Sequence, residues 1–393
     1  MTAEFENNLG SVYMMAGDYA AAREHMLAAV AARREAGRHD TVLNAYTYNN
    51  LGYLAAFLGN AADAAEHYGD ALQLGERLLG REHPSVHHVR SNLGIALQMR
   101  NHLAESTSML KSAITALRAA GATNTPPYAW SWARLGYTAL TLRDLPRARA
   151  DFAAGRAAFL AADPDETSAR EALYGLGQVA AAEHDLPAAQ ATYDDIVDRV
   201  ERRFGAEHPE ALVARMRFGE MWLFHAGRPL EALAQLDRIN ARCADATPDI
   251  AVLCGDAARM TGDAKLRLGA LDEASEPLQR ALALYERVQG PSSPEIVATL
   301  RLLGEAELAQ GRRDEAVAHL RRAAALAVAD FDADHPDLAG TQFSLAKALA
   351  GDAATAPEAR DLAAKALAVY AARGEAFAPE IRAIEGWQSA HSA

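Results

Sequence analysis

Along this chain a glycine, usually behind a leucine, returns every 42 residues: Gly10, Gly52, Gly94, Gly136, Gly177, Gly219, Gly262 and Gly304, with Ala346 in the ninth place and no step off by more than one residue. A fixed period of this length overrides the two or three globular domains that 393 residues would ordinarily suggest, because each period is one supersecondary unit that buries its apolar face only against the next. Each glycine sits inside an apolar helical pattern, as in Leu51, Leu54, Ala55 and Leu58 around Gly52. There it costs about 1 kcal/mol against alanine, so eight such positions need an offsetting gain of roughly 8 kcal/mol. Close approach of a second helix, which a side chain would block, is the gain expected. Downstream of the glycines, small residues bracket a large one: Ala22, Met26 and Ala29; Ala64, Tyr68 and Ala71; Ala148, Phe152 and Gly155; Ala274, Leu278 and Ala281; Ala316, Leu320 and Ala323. That is a helix face built to nest.

Two kinds of punctuation divide each period. Short breaks read Gly17-Asp18-Tyr19, Gly59-Asn60-Ala61, Arg143-Asp144-Leu145, His184-Asp185-Leu186, Gly269-Ala270-Leu271 and Gly311-Arg312-Arg313, the pattern of a tight helix-turn-helix. The second connection carries Pro84, Pro126, Pro209, Pro294 and Pro336, each ten residues before the next glycine position. Proline is tolerated in a first helical turn, so each marks a helix start.

Leu-Gly, a residue such as Tyr13, and then small, large, small resembles the tetratricopeptide repeat. The 42-residue period and linkers such as Leu79-Gly80-Arg81-Glu82-His83-Pro84, Phe204-Gly205-Ala206-Glu207-His208-Pro209 and Asp334-His335-Pro336 are similar to its kinesin-light-chain type. The resemblance implies an all-α, right-handed α-α superhelix, a solenoid of about nine helical hairpins. The array is expected over residues 1–378, with repeats near 1–36, 40–79, 84–120, 126–162, 167–204, 209–244, 249–289, 294–330 and 336–373. A capping helix and tail follow over 379–393. Departures are a one-residue insertion near Arg228-Pro229-Leu230, Thr261 before Gly262, a longer linker after Pro248 and a degenerate ninth unit around Leu345. Residues 3–16 already read as the first helix, so its outer face is expected to meet an upstream domain or another subunit.

A net charge of −13 argues against nucleic acid or an anionic membrane surface as partner. No apolar run approaches membrane-spanning length, and Cys243 and Cys254 read as two ordinary helix residues, so a cytoplasmic, reducing location is expected. His83 and His87 have the i, i+4 spacing of a metal pair, yet His208 and His335 recur at the place of His83, so that histidine follows the scaffold. Gly175-Leu176-Gly177-Gln178-Val179-Ala180 mimics a dinucleotide fingerprint without the strand that should precede it. Neither a catalytic constellation nor a metal or cofactor site is expected.

Binding chemistry is expected on the first helix of each pair, which lines the concave surface of a helical solenoid. Positions six and three before, and one and five after, the glycine give Tyr46, Asn49, Tyr53 and Phe57; then His88, Ser91, Ile95 and Met99; then Trp130 and Tyr137 in the fourth repeat. Aromatic, amide and thioether side chains suit an extended peptide, which needs flat apolar contacts and partners for its backbone. In the seventh repeat the same positions give Asp256, Arg259, Asp263 and Arg267, a charged strip. The function expected is a non-catalytic scaffold that captures a peptide or protein. The alternatives are a recruiting tail of a bacterial signalling protein such as a serine/threonine kinase, a peptide-sensing regulator and, least favoured, a metal-dependent enzyme.

Overall fold

The computed structural model describes residues 3–15, 18–57, 60–100, 102–165, 168–243, 250–288, 290, 293–331 and 333–391. Gly17, Leu58, Gly59 and Pro248, singled out in the sequence, lie outside the described residues. Among those described there is no strand, and nineteen α-helices follow one another. They pair as α1 (Ala3–Met15) with α2 (Tyr19–Glu35), α3 (Val42–Phe57) with α4 (Ala61–Leu79), α5 (Pro84–Met99) with α6 (Leu103–Ala119), and α7 (Pro126–Thr141) with α8 (Leu145–Ala162). Next come α9 (Arg170–Ala182) with α10 (Leu186–Phe204), and α11 (Pro209–Glu220), continued by a π turn (Met221–His225), with α12 (Pro229–Arg242). Three further pairs are α13 (Ala251–Arg267) with α14 (Leu271–Val288), α15 (Pro294–Ala309) with α16 (Arg313–Asp330), and α17 (Pro336–Leu349) with α18 (Ala356–Ala372). A last helix, α19 (Ala378–Ala390), buries Ile384 against the α17–α18 core and sets Trp387 edge-on to Phe343. The chain forms two compact units, Met1–Ile196 and Val197–Ala393.

The recurring glycines are where the two helices of a hairpin meet. A Cβ placed on Gly94 would lie 2.8 Å from Cγ of Leu110, closer than packed carbons come. The same collision recurs between Gly10 and Met26, Gly52 and Tyr68, Gly136 and Phe152, Gly177 and Tyr193, Gly262 and Leu278, and Gly304 and Leu320. In each pair the large residue lies sixteen positions downstream and its side chain covers the bare backbone. Burying such a side chain contributes about 1.5–3 kcal/mol, enough to offset the helical cost of the glycine that admits it.

Turns and linkers follow from local chemistry. In five of the pairs a left-handed residue reverses the chain between the helices, either glycine (Gly227, Gly269, Gly311) or, less comfortably, Arg143 at φ 58° and His184 at φ 65°. Asp18, Asn60 and Asp144 then accept a backbone N–H of the next helix, from Ala21, Asp63 and Arg147. Between pairs, His83, His208 and His335 cap the following helix: each Nδ1 accepts the N–H two residues on, from Ser85 (3.2 Å), Glu210 (3.2 Å) and Asp337 (3.1 Å). The proline after each histidine fills the first helical position. The recurrent histidine is therefore a helix cap.

Two sequence expectations are corrected. The extra residue of the sixth repeat lies ahead of Arg228, taken up by the π turn, and Gly219 is accordingly less crowded: a Cβ placed there would lie 3.4 Å from Leu236. Cys243 and Cys254 are not two independent helix residues: they form a disulfide, Cα atoms 5.6 Å apart, from the end of α12 to the first turn of α13. Sequence spacing concealed the pairing because it does not show that the end of α12 and the start of α13 meet.

Candidate first-helix binding faces

In the first unit, the first helices of the hairpins carry an unusual load of exposed apolar side chains. Tyr46, Tyr53 and Phe57 are each about half exposed (46%, 53% and 51%) although all three belong to one sixteen-residue helix, α3. Leu43 and, on α5, Met99 are exposed as well. Tyr53 and Phe57 line a cleft of about 220 Å³ together with Met14, Leu54 and Tyr19. The Tyr19 and Phe57 rings lie 4.9 Å apart, forming one wall. The cleft has the size of one bulky side chain, and its lining is apolar apart from the two phenols. Tyr19 was invisible to the repeat arithmetic because it opens a second helix, where no binding position was sought.

Two polar side-chain bonds join α3 to the first helices on either side of it. Asn92 Nδ2 donates to Asn49 Oδ1 at 3.0 Å, joining α3 to α5, and the hydroxyl of Thr47 donates to Asn7 Oδ1 at 2.8 Å, joining α3 to α1. In the first pair the Asn49 amide nitrogen and the Asn92 carbonyl oxygen remain for another partner, a donor and an acceptor side by side.

Other predicted positions divide between surface and core. His88 is exposed and Ile95 is half-buried. Ser91 does not reach the face: it is 2% exposed, and its hydroxyl meets that of Ser131 at 2.9 Å, tying α5 to α7. Trp130 and Tyr137 are partly buried, standing edge-on to Phe159 and Phe152, and the Tyr137 hydroxyl donates to the carbonyl of Glu171. The Arg134 guanidinium lies over both rings, 5.3 and 5.6 Å from their centres. Both aromatics thus pack within their own hairpin, and Tyr137 also ties it to the next repeat through Glu171.

The charged strip of the second unit is wired internally. Arg267 reaches Asp263 at 2.8 Å and lies over Phe224, Arg301 reaches Glu305 at 3.0 Å, and the Tyr285 hydroxyl donates to Asp256 at 2.7 Å, with Arg259 3.9 Å from the same carboxylate. Burial raises the Asp256 carboxyl above its ordinary pKa, only partly opposed by Arg259 and the Tyr285 bond. At Glu305 burial pushes the same way, but Arg301, the Ser344 hydroxyl and Lys347 together bring it below the usual range. His83 and His87, four apart, do different work: His83 caps α5, while His87 is 1% exposed and accepts from Arg90 at 3.1 Å.

Hairpins of this construction, presenting a first-helix face with an apolar cleft, define an all-α repeat protein of the protein-interaction class. Tetratricopeptide repeat models match residues 7–36, 44–119 and 256–327. Over those segments the chain carries tetratricopeptide repeats. Among solved structures, the Rap conjugation gene regulator of plasmid pLS20, in complex with the Phr* peptide, is 15% identical at TM-score 0.54, covering 73% of this chain and 74% of that one. A Rap protein complexed with Competence and Sporulation Factor is 15% identical at TM-score 0.51, covering 88% and 99%. A Podosopora anserina protein of nearly identical TPR-like repeats, described as a kinesin light chain, is 21% identical at TM-score 0.43, covering 53% and 97%. No curated protein matches the chain. Among the described residues no helix is long and apolar enough to cross a membrane.

Proposed function

We propose that this protein is a non-catalytic scaffold whose first unit captures an extended peptide segment on the faces of α1, α3 and α5. The cleft of Met14, Tyr19, Tyr53, Leu54 and Phe57 is the observation that carries this reading: three large apolar side chains of α3 stay half exposed beside a cavity of side-chain size. A bulky apolar side chain of the ligand fills the cleft, and its main chain pairs with the open amide groups of Asn49 and Asn92. Tyr46, His88, Ile95 and Met99 flank the path, with Trp130 and Tyr137 at its edge. On α1, exposed Phe5 and Val12 supply a separate apolar patch for a docking domain or subunit.

Selection from a displayed random peptide library on the wild type, with counter-selection on Tyr53→Ala/Phe57→Ala, tests the reading. Enriched sequences should share one bulky apolar residue and lose binding at least tenfold on the variant. Peptides held equally by both proteins would remove the site from this face.

A second reading, a peptide-sensing regulator, is supported by the two Rap structures of similar fold, one in complex with the Phr* peptide and the other with Competence and Sporulation Factor. On that reading a selected peptide changes the small-angle scattering profile of the protein. Superimposable profiles with and without saturating peptide would leave capture without sensing.

A further inference from the structure

We propose that Cys243 and Cys254 form a reversible modification site, a redox brace that exchanges with small-molecule disulfides of the glutathione class and holds the start of α13 in place. The inference stands on how α13 starts. α5, α11 and α17 begin with a histidine cap followed by proline, and α3 with Thr41, whose hydroxyl accepts the Asn44 N–H at 3.1 Å. α13 begins at Ile250 with no side-chain cap and no proline in its first turn, as α9 does at Ala169, but unlike α9 it carries a disulfide there. In their place stands the bond from Cys254, fully buried in that turn, to Cys243, partly buried at the end of α12.

The brace sits next to the charged strip. Gly255 follows Cys254 directly and lets the Tyr285 ring come within 2.8 Å of where a Cβ would stand, and Asp256, next again, accepts the Tyr285 hydroxyl. Asp256 and Arg259 therefore owe their positions to the helical turn that the disulfide anchors. In the oxidising direction the Cys243 thiolate, the more accessible of the two, attacks the small disulfide, forms a mixed disulfide and releases one small thiol. The Cys254 thiolate then displaces the second small thiol. Two electrons and two protons have passed from the protein dithiol to the small disulfide, and the reverse sequence restores both thiols.

The test uses the whole native chain, equilibrated in buffers of stepped reduced-to-oxidised glutathione ratio, quenched in acid and alkylated. The expected result is one reversible transition in intact mass, the loss of two hydrogens, mapped by peptide digestion to Cys243 and Cys254. Hydrogen exchange at residues 251–256 should be roughly tenfold or more faster in the dithiol form, with amides in α16 and α18 unchanged. Cys243→Ser/Cys254→Ala should exchange like the dithiol form at every ratio. Three results would overturn the proposal: a stable glutathione adduct in place of the internal bond, a bond that persists at every reducing ratio, or identical exchange in the two wild-type forms. The comparison of the two wild-type forms needs no variant to fold.

Discussion

His87 carries the acid sensitivity of its repeat. Burial first, and the Arg90 guanidinium second, hold its imidazole below the ordinary value, since Arg90 donates to a ring nitrogen that must stay unprotonated. Above about pH 6.5 the group is neutral in both folded and unfolded chains and adds no pH dependence. Below that, the unfolded chain takes up the proton more readily, so stability declines as pH falls from about 6.5 towards the lower folded pKa. Denaturant titrations of wild type and His87→Gln across pH 5 to 7 should show a shallower slope in the variant; parallel curves would contradict this account. A different residue-scale strain sits at Arg143 and His184, side chains in the left-handed region that glycine occupies in three equivalent turns. Arg143→Gly and His184→Gly should each stabilise by about 0.5–1 kcal/mol, read as a rise in midpoint with unchanged denaturant dependence. The converse holds at Gly94, where Gly94→Leu forces a branched side chain against Leu110 and should cost roughly 1–3 kcal/mol or more.

At the level of the element, the helix starts show what a sequence does and does not disclose. The prolines announced their helices because the ring's missing N–H is harmless only in a first turn, and the period of the glycines followed from a collision that only a bare backbone avoids. The linker histidines were recognisable as scaffold from their recurrence, but their role depends on a lone pair aimed at an N–H, which spacing does not express. His208→Ala should therefore cost about 0.5–2 kcal/mol and speed amide exchange in the first turn of α11, whereas His208→Asn should recover most of the loss. The binding face was legible in part. Tyr46, Tyr53 and Phe57 stand open on α3, while Ser91, at the offset that Asn49 holds on α3, turns inward to meet Ser131. A single offset cannot anticipate the modest rotation that separates a groove residue from an interhelical one. Nor could it find Tyr19, which enters the cleft from the other helix of its hairpin.

Across the whole molecule, each hairpin relies on its own plug and its immediate neighbours, so damage should remain local. Leu110→Ala opens a cavity beneath Gly94 and should destabilise by about 2–5 kcal/mol, appearing as faster exchange in α5 and α6 with α13 to α16 unaffected. A single cooperative loss of protection throughout the chain would argue against such independence. The π turn at Met221–His225 bears on how such a chain tolerates change. One added residue advances a regular α-helix by about 100°, enough to swing every later side chain of that helix off its row. By widening a single turn, the backbone confines the insertion to a local detour, and the reversal at Gly227 and everything beyond it resumes the original phase. Length can therefore drift in one module without erasing the alignment of the modules around it, which makes the array forgiving of small insertions in its genetic history.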